Sequence, residues 1–264
     1  MTRVTIKALQ KLRDDGVKIA VLTCYDASFA AMLDAAGLDS LLIGDSLGMV
    51  LQGHETTLPV TLADMAYHTR CVARGSKRSF LVTDMPFGSY QESPQQAFRS
   101  AAELMAAGAQ MVKLEGGAEF ADTIRFLTQR GVPVCGHLGL TPQSVHQFGG
   151  YHVQGRGEDA EQKLIEDAVE LEAAGAGLIV LEAIPAKLGE QVTQRLRIPT
   201  IGIGAGPGCS GQVLVLHDML DVFPGKKARF VRNFMKGASG IADAAELYVR
   251  AVGDGSLPAE EHSF

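Results

Sequence analysis

Three segments of this chain are variations on one design, and they constrain its fold more than any other feature. "AAGLDSLLIGD" (35–45), "AAGAQMVKLE" (106–115) and "AAGAGLIVLE" (173–182) each pass from an alanine-rich helix end through a glycine into an apolar strand that stops on an acid. Glycine suits the left-handed backbone position that follows a helix, which accounts for its place in all three. The segments recur roughly 70 residues apart, about two helix–strand units, so alternating β/α architecture is predicted.

Further apolar runs fill the gaps: "KIAVLTCYD", "SFLVTDMP", "VPVCGH", "IPTIGIGAG" and, more weakly, "QVLVLHDML". Eight strands are therefore predicted, near 18–24, 39–44, 79–84, 109–115, 132–137, 177–182, 199–204 and 213–217. The runs are continuously apolar, as strands covered on both faces should be. Helix starts are legible between them: Thr61 with Asp64 as a capping box, and Ser93-Pro94 and Thr141-Pro142 as cap residues before a first-turn proline. Eight strands with alternating helices predict a (β/α)8 TIM barrel, an α/β fold; a doubly wound open sheet is the alternative, since strand count does not establish closure. With 264 residues, 46% of them hydrophobic, and no linker or composition break, the chain reads as one domain over 1–264. The longest irregular stretch, within 138–160, is either a lid over the site or a surface excursion.

Net charge is −6 and no basic cluster stands out, so neither nucleic acid nor an anionic membrane is an expected partner. Cys24, Cys71, Cys135 and Cys209 are scattered, which reads as reduced structural thiols. The N-terminal stretch is charged throughout, and no run is long and apolar enough to span a bilayer. A cytoplasmic location is therefore expected.

In a barrel of this kind chemistry gathers at the C-terminal strand ends, which here carry Asp45, Asp84, Glu115, His137 and Glu182. The first three fall on the neighbouring strands 2, 3 and 4, about 4.8 Å apart. Three carboxylates left unpaired there repel one another, and a divalent cation relieves the repulsion. An all-oxygen donor set favours Mg2+ over zinc. For any one acid the alternative is a helix cap or an arginine partner. Lys113 lies two residues before Glu115 and shares its face, where it meets a substrate carboxylate, a developing enolate, or simply Glu115 or Asp84. Ser46 is placed to hydrogen-bond a substrate carboxylate. His137 is an orienting or substrate-binding residue, or a structural histidine. "GIGAGPG" lacks dinucleotide-fingerprint spacing and reads as a loop whose backbone approaches a ligand closely, or as a helix-turn glycine run. Glu182, on strand 6 across the mouth, has no implied metal partner; its oily strand should leave it dry, unpaired and raised towards neutrality as a base.

"LLIGDSLGMVLQGHETTLPVT", "MVKLEGG", "PVCGHLGLTPQSV", "GGYHVQGRG", "IGIGAG" and the ending "EEHSF" resemble the ketopantoate hydroxymethyltransferase family nearly end to end. The resemblance implies a barrel of the phosphoenolpyruvate/pyruvate-type superfamily and the first committed step towards pantothenate. It implies transfer of a one-carbon unit from 5,10-methylenetetrahydrofolate, as co-substrate, to 3-methyl-2-oxobutanoate, giving 2-dehydropantoate. It further implies Mg2+ and a homodecamer. Carried over by motif, the metal carboxylates are Asp45, Asp84 and Glu115; the substrate contacts are Asp45, Ser46, Asp84 and Lys113, with His137 in support; and the general base is Glu182. Ser210, in "GPGCSGQ", stands where the family carries aspartate, which puts one loop contact in doubt.

The residues allow that chemistry. A 2-oxo acid chelates magnesium through its carboxylate and ketone oxygens, and the metal stabilises the enolate formed when the C3 proton leaves. Ser46 and Lys113 hold the carboxylate end, Glu182 takes the proton, and the enolate attacks the methylene carbon of the opened folate iminium. The stretch "GGYHVQGRG" would exclude water. Two rivals remain: a magnesium-dependent lyase or mutase of the same barrel group that needs no folate, and an oxo-acid or folate binding protein without chemistry.

Overall fold

The protein, described over residues 2–264 in a computed structural model, closes into the expected barrel. Residue 1 of the expected 1–264 domain lies outside the described residues. The strands are β1 (Ile19–Thr23), β2 (Ser40–Ile43), β3 (Phe80–Asp84), β4 (Met111–Glu115), β5 (Val134–Gly139), β6 (Leu178–Glu182), β7 (Thr200–Ile203) and β8 (Gly211–Leu214). All neighbours are parallel, and β8 pairs back onto β1 through Ala20 with Gln212 and Leu22 with Leu214. That last pairing excludes the open sheet.

Helix α1 (Ile6–Asp14) precedes the barrel, and α2 (Ala27–Ala36), α3 (Leu47–Val50), α4 (Leu62–Gly75), α5 (Pro94–Ala107), α6 (Ala121–Thr128) and α7 (Val145–Phe148) follow in order. The wrap is completed by α8 (Glu158–Ala173), α9 (Ala186–Arg195), α10 (Leu216–Met219) and α11 (Ile241–Gly253). The local signals explain several boundaries. Thr61 and Asp64 make the reciprocal capping box of α4, and Ser93 caps α5 with Pro94 in its first turn. Gly37 and Gly108 end α2 and α5 in the left-handed region, at φ 96° and 119°.

Two sequence expectations shift. Strand β8 ends at Leu214 instead of 217, because the Leu216 N–H donates to Thr23 Oγ1 at 2.9 Å and turns the chain into α10. Thr141-Pro142 opens only a 3-10 turn with no side-chain cap, running into the four-residue α7. The 138–160 stretch is therefore partly helical, not one irregular loop.

Strand parity divides the core into two layers. Ile19, Val21, Phe80, Val82, Met111, Cys135, Leu178, Val180, Ile201 and Val213 fill the barrel interior, and Leu9 of α1 closes its lower end. The alternate residues, such as Leu22, Leu81, Val112, Leu114, Ile179 and Leu181, pack against the helices. This parity positions the site. Counting by twos along the inward face leads from Phe80 and Val82 to Asp84, from Met111 through Lys113 to Glu115, from Cys135 to His137, and from Leu178 and Val180 to Glu182. On these four strands the interior column ends at the top in a polar side chain, whereas β7 and β8 carry Ile203 and Val213 into the mouth.

Candidate active site

Register decides which of those polar residues become neighbours. Asp84 lies opposite Lys113 between β3 and β4, and Glu115 lies opposite His137 between β4 and β5. Lys113 Nζ approaches Asp84 Oδ1 at 2.7 Å, both side chains being about 95% buried. Asp84 Oδ2 accepts the backbone N–H of Asp45 at 3.0 Å, which ties the end of β3 to the turn after β2. The six residues read as substrate or catalytic groups, together with Glu115, line one cavity of about 170 Å³ at the barrel mouth. Leu42, Val180, Ile203, Val213, Val215 and Phe230 form its apolar side.

Glu182 departs from expectation. It is neither dry nor unpaired: its side chain is 15% exposed, and Oε2 lies 3.2 Å from His137 Nε2. His137 is the inner partner, fully enclosed, with Nδ1 3.2 Å from Lys113 Nζ and 3.3 Å from Glu115 Oε1. An ammonium can only donate, so Nδ1 accepts and the ring proton is assigned to Nε2, facing Glu182. Burial, and then the Lys113 charge, hold the His137 pKa below its usual value, which keeps the ring neutral. Immediately after Glu182, Ala183 takes φ 46°, a strained conformation for a residue with a Cβ. Its N–H donates to Ile203 O at 2.8 Å, and its carbonyl accepts from Gln154 N, so the strain is held from both sides.

Gln143 organises the other carboxylates, although it was not among the residues read from sequence. Its backbone N–H donates to Glu115 Oε2 at 2.9 Å and its Nε2 to Asp45 Oδ2 at 2.8 Å. Its Oε1 accepts from the buried Tyr90 hydroxyl at 2.8 Å, and that hydroxyl also receives the Glu115 N–H at 3.1 Å. Tyr25, at the end of β1, shares a 2.9 Å hydrogen bond with Ser46. Tyr151 and Asp218 line the mouth as well. The one sequence signal for Gln143 was its place in "GLTPQS" directly after β5; Tyr25 had only its strand-end position.

The fit of a cation rests on charge and donor chemistry. Five carboxyl groups line the cavity and, among the described residues, Lys113 is its only ammonium. Burial, then the charges of Asp84 and Glu115, push the Asp45 carboxyl well above the usual carboxylate range. Burial pushes Glu115 up to about 7 against the pull of Lys113. Burial opposes the Lys113 ammonium too, but Asp84, Glu115 and Asp45 outweigh it and hold its pKa above the usual value. Fully ionised, these carboxyls would carry more negative charge than Lys113 neutralises. Asp84 Oδ1 and His137 Nε2 also lack a well-aligned hydrogen-bond partner: Lys113 Nζ approaches the first at 2.7 Å and Glu182 Oε2 the second at 3.2 Å, both off-axis. Anionic oxygens short of positive charge suit a hard divalent cation. Among the described residues, however, no three His, Cys, Asp or Glu side chains form a ready metal cluster. Lys113 holds Asp84, and Gln143 holds both Asp45 and Glu115.

A family model described as ketopantoate hydroxymethyltransferase matches residues 3–260. A relative from Azoarcus sp. (strain BH72), named 3-methyl-2-oxobutanoate hydroxymethyltransferase, is 66% identical over 99% of this chain and 97% of its own. Among solved structures, a putative phosphonomutase from Burkholderia cenocepacia J2315 superposes with TM-score 0.64 at 17% identity, covering 82% of this chain and 94% of that one. A 2,3-dimethylmalate lyase, described as a PEP mutase/isocitrate lyase superfamily member, gives 0.58 at 17% identity over 81% of each chain. At such identity these two structures bear on the fold alone.

Proposed function

The chain belongs to the ketopantoate hydroxymethyltransferase family, and from that membership we propose that it moves a hydroxymethyl unit from 5,10-methylenetetrahydrofolate onto 3-methyl-2-oxobutanoate, giving 2-dehydropantoate for pantothenate biosynthesis. It is an enzyme of the transferase class. The observation that carries the substrate reading is the mixed lining of the cavity, where acids, Lys113 and Ser46 meet Leu42, Val180, Ile203, Val213 and Val215. A small oxo acid with an isopropyl group matches both kinds of lining.

In this reading Asp45, Asp84 and Glu115 hold Mg2+, by virtue of their oxygen donors and their uncompensated charge. When bound, the cation supplies Lewis-acid stabilisation of negative charge on the oxo-acid oxygens. Ser46, oriented by Tyr25, and Lys113, oriented by Asp84, hold the substrate carboxylate and limit its rotation. Glu182 removes the proton from C3, and the neutral His137 ring keeps its carboxylate aimed into the cavity. Over the whole reaction C3 forms a bond to the donor methylene carbon, the two methylene–nitrogen bonds of the donor break, and one water supplies the hydroxyl oxygen. On the family resemblance alone, we also propose that the chain acts as a single domain, in the cytoplasm, within a homodecamer.

The test is direct. Oxo acid, Mg2+ and 5,10-methylenetetrahydrofolate are mixed with the protein, and 2-dehydropantoate is followed by mass spectrometry. Product should depend on all three. Turnover of the oxo acid with metal alone would move the reading to a lyase or mutase.

A further inference from the structure

We propose that the one-carbon donor enters through a second groove beside the mouth, presenting its flat, N–H-bearing ring end and leaving its anionic tail in solvent. The inference rests on the proposed reaction, which needs two substrates of very different size. The mouth cavity is about 170 Å³, well under the roughly 300–1,000 Å³ that drug-sized ligands occupy. It fits the small oxo acid and leaves no room for a folate. A groove of about 670 Å³ that shares Glu115 with the mouth opens between the ends of β4 and β5 and the start of α8. Glu115 lines both spaces, so ligands in the two meet across one carboxylate. Gly139, opposite Glu182 in the β5–β6 register, lines the groove as well.

The lining suits a planar, hydrogen-bonding ring. Phe87, Phe120 and Phe148 supply aromatic surface, and Gln147 and Gln154 supply amides. Phe87 is 52% exposed, an uncovered aromatic that its own packing does not explain. The backbone dips beneath the groove at Gly117, where a Cβ would fall 2.5 Å from the Asp167 carboxyl. Glu119 rims that dip. One of its oxygens accepts the Gly117 N–H at 2.9 Å, and the other has no partner among the described residues. The groove's single cation, Lys163, is already held by both oxygens of Asp167, at 2.8 and 3.0 Å. With Glu115, Glu119 and Asp167 against one lysine, the groove is a poor seat for a polyanionic tail. It is a good one for ring N–H donors.

The experiment compares the unmodified enzyme with Phe87→Ala and Glu119→Gln, two surface changes outside the proposed oxo-acid site. Tetrahydrofolate affinity is measured by calorimetry, the KM for each substrate by steady-state kinetics, and C3 proton exchange of the oxo acid by NMR without folate. Each variant should weaken tetrahydrofolate binding and raise the donor KM roughly tenfold, with oxo-acid KM and C3 exchange unchanged. Unchanged tetrahydrofolate affinity in both variants overturns the groove while leaving the reaction standing. Failure of the unmodified enzyme to make 2-dehydropantoate overturns the reaction and the groove together.

Discussion

His137 Nε2 lies 3.2 Å from Glu182 Oε2, from the neighbouring strand and beneath the carboxylate. Its other nitrogen is occupied by Lys113, so one buried ring connects the cationic and the proton-accepting sides of the mouth.

Glu182→Gln should keep oxo-acid and Mg2+ binding within a few-fold and lose C3 proton exchange by roughly 10²–10⁴-fold, the usual worth of a positioned base. Exchange of deuterium at C3, followed by NMR without folate, reads this directly. Exchange at the unmodified rate removes Glu182 as the base.

His137→Asn removes the ring that faces Glu182. The lost off-axis polar contact is worth about 1.5 kcal/mol, so kcat should fall roughly tenfold with the oxo-acid KM little changed. A variant with unmodified kcat would leave His137 a packing residue.

Asp45→Ala and Asp84→Ala should each weaken Mg2+ binding roughly 10- to 100-fold, corresponding to about 1.4–2.8 kcal/mol. Asp64→Ala breaks only the α4 capping box and should cost about 1 kcal/mol of stability with metal affinity intact. Isothermal titration separates the cases; equal affinity in all three sinks the metal assignment.

Without metal, the protein should lose stability between about pH 4.5 and pH 7. Glu115 has an ordinary value of 4.5 and is pushed up to about 7 in the fold. The folded state therefore holds its proton where the unfolded state has released it, and stability falls as pH rises across that window. The Asp45 shift has the same sign. Mg2+ should reverse the trend, raising Tm more at pH 8 than at pH 5.5 and releasing protons on binding. A metal-free Tm that climbs through this window would contradict the buried-carboxylate account.

Much of the architecture was legible from local chemistry. The Ala-Ala-Gly ends and apolar strands marked the helix–strand repeat, and the acids closing those strands marked the working face. The weak eighth strand was misplaced because its end is set by Thr23, on the far side of the chain, capturing the Leu216 N–H. Gln143 was missed for a similar reason. It is one polar residue in a loop until folding brings it against Asp45, Glu115 and Tyr90, and no periodicity signals such a meeting.

The sequence by itself determined the kinds of element and the polar residues near the upper ends of β3, β4, β5 and β6, because these follow from apolar runs and glycine conformation within a few residues. Closure, register and partnership were decided only by the tertiary structure. The β1–β8 pairing turns a sheet into a barrel, and register sets Lys113 beside Asp84 and His137 beside Glu115. The carboxylate that looked isolated along the chain acquired a histidine from the adjacent strand. Burial makes such partners energetically necessary, and long-range packing alone selects which residue supplies them.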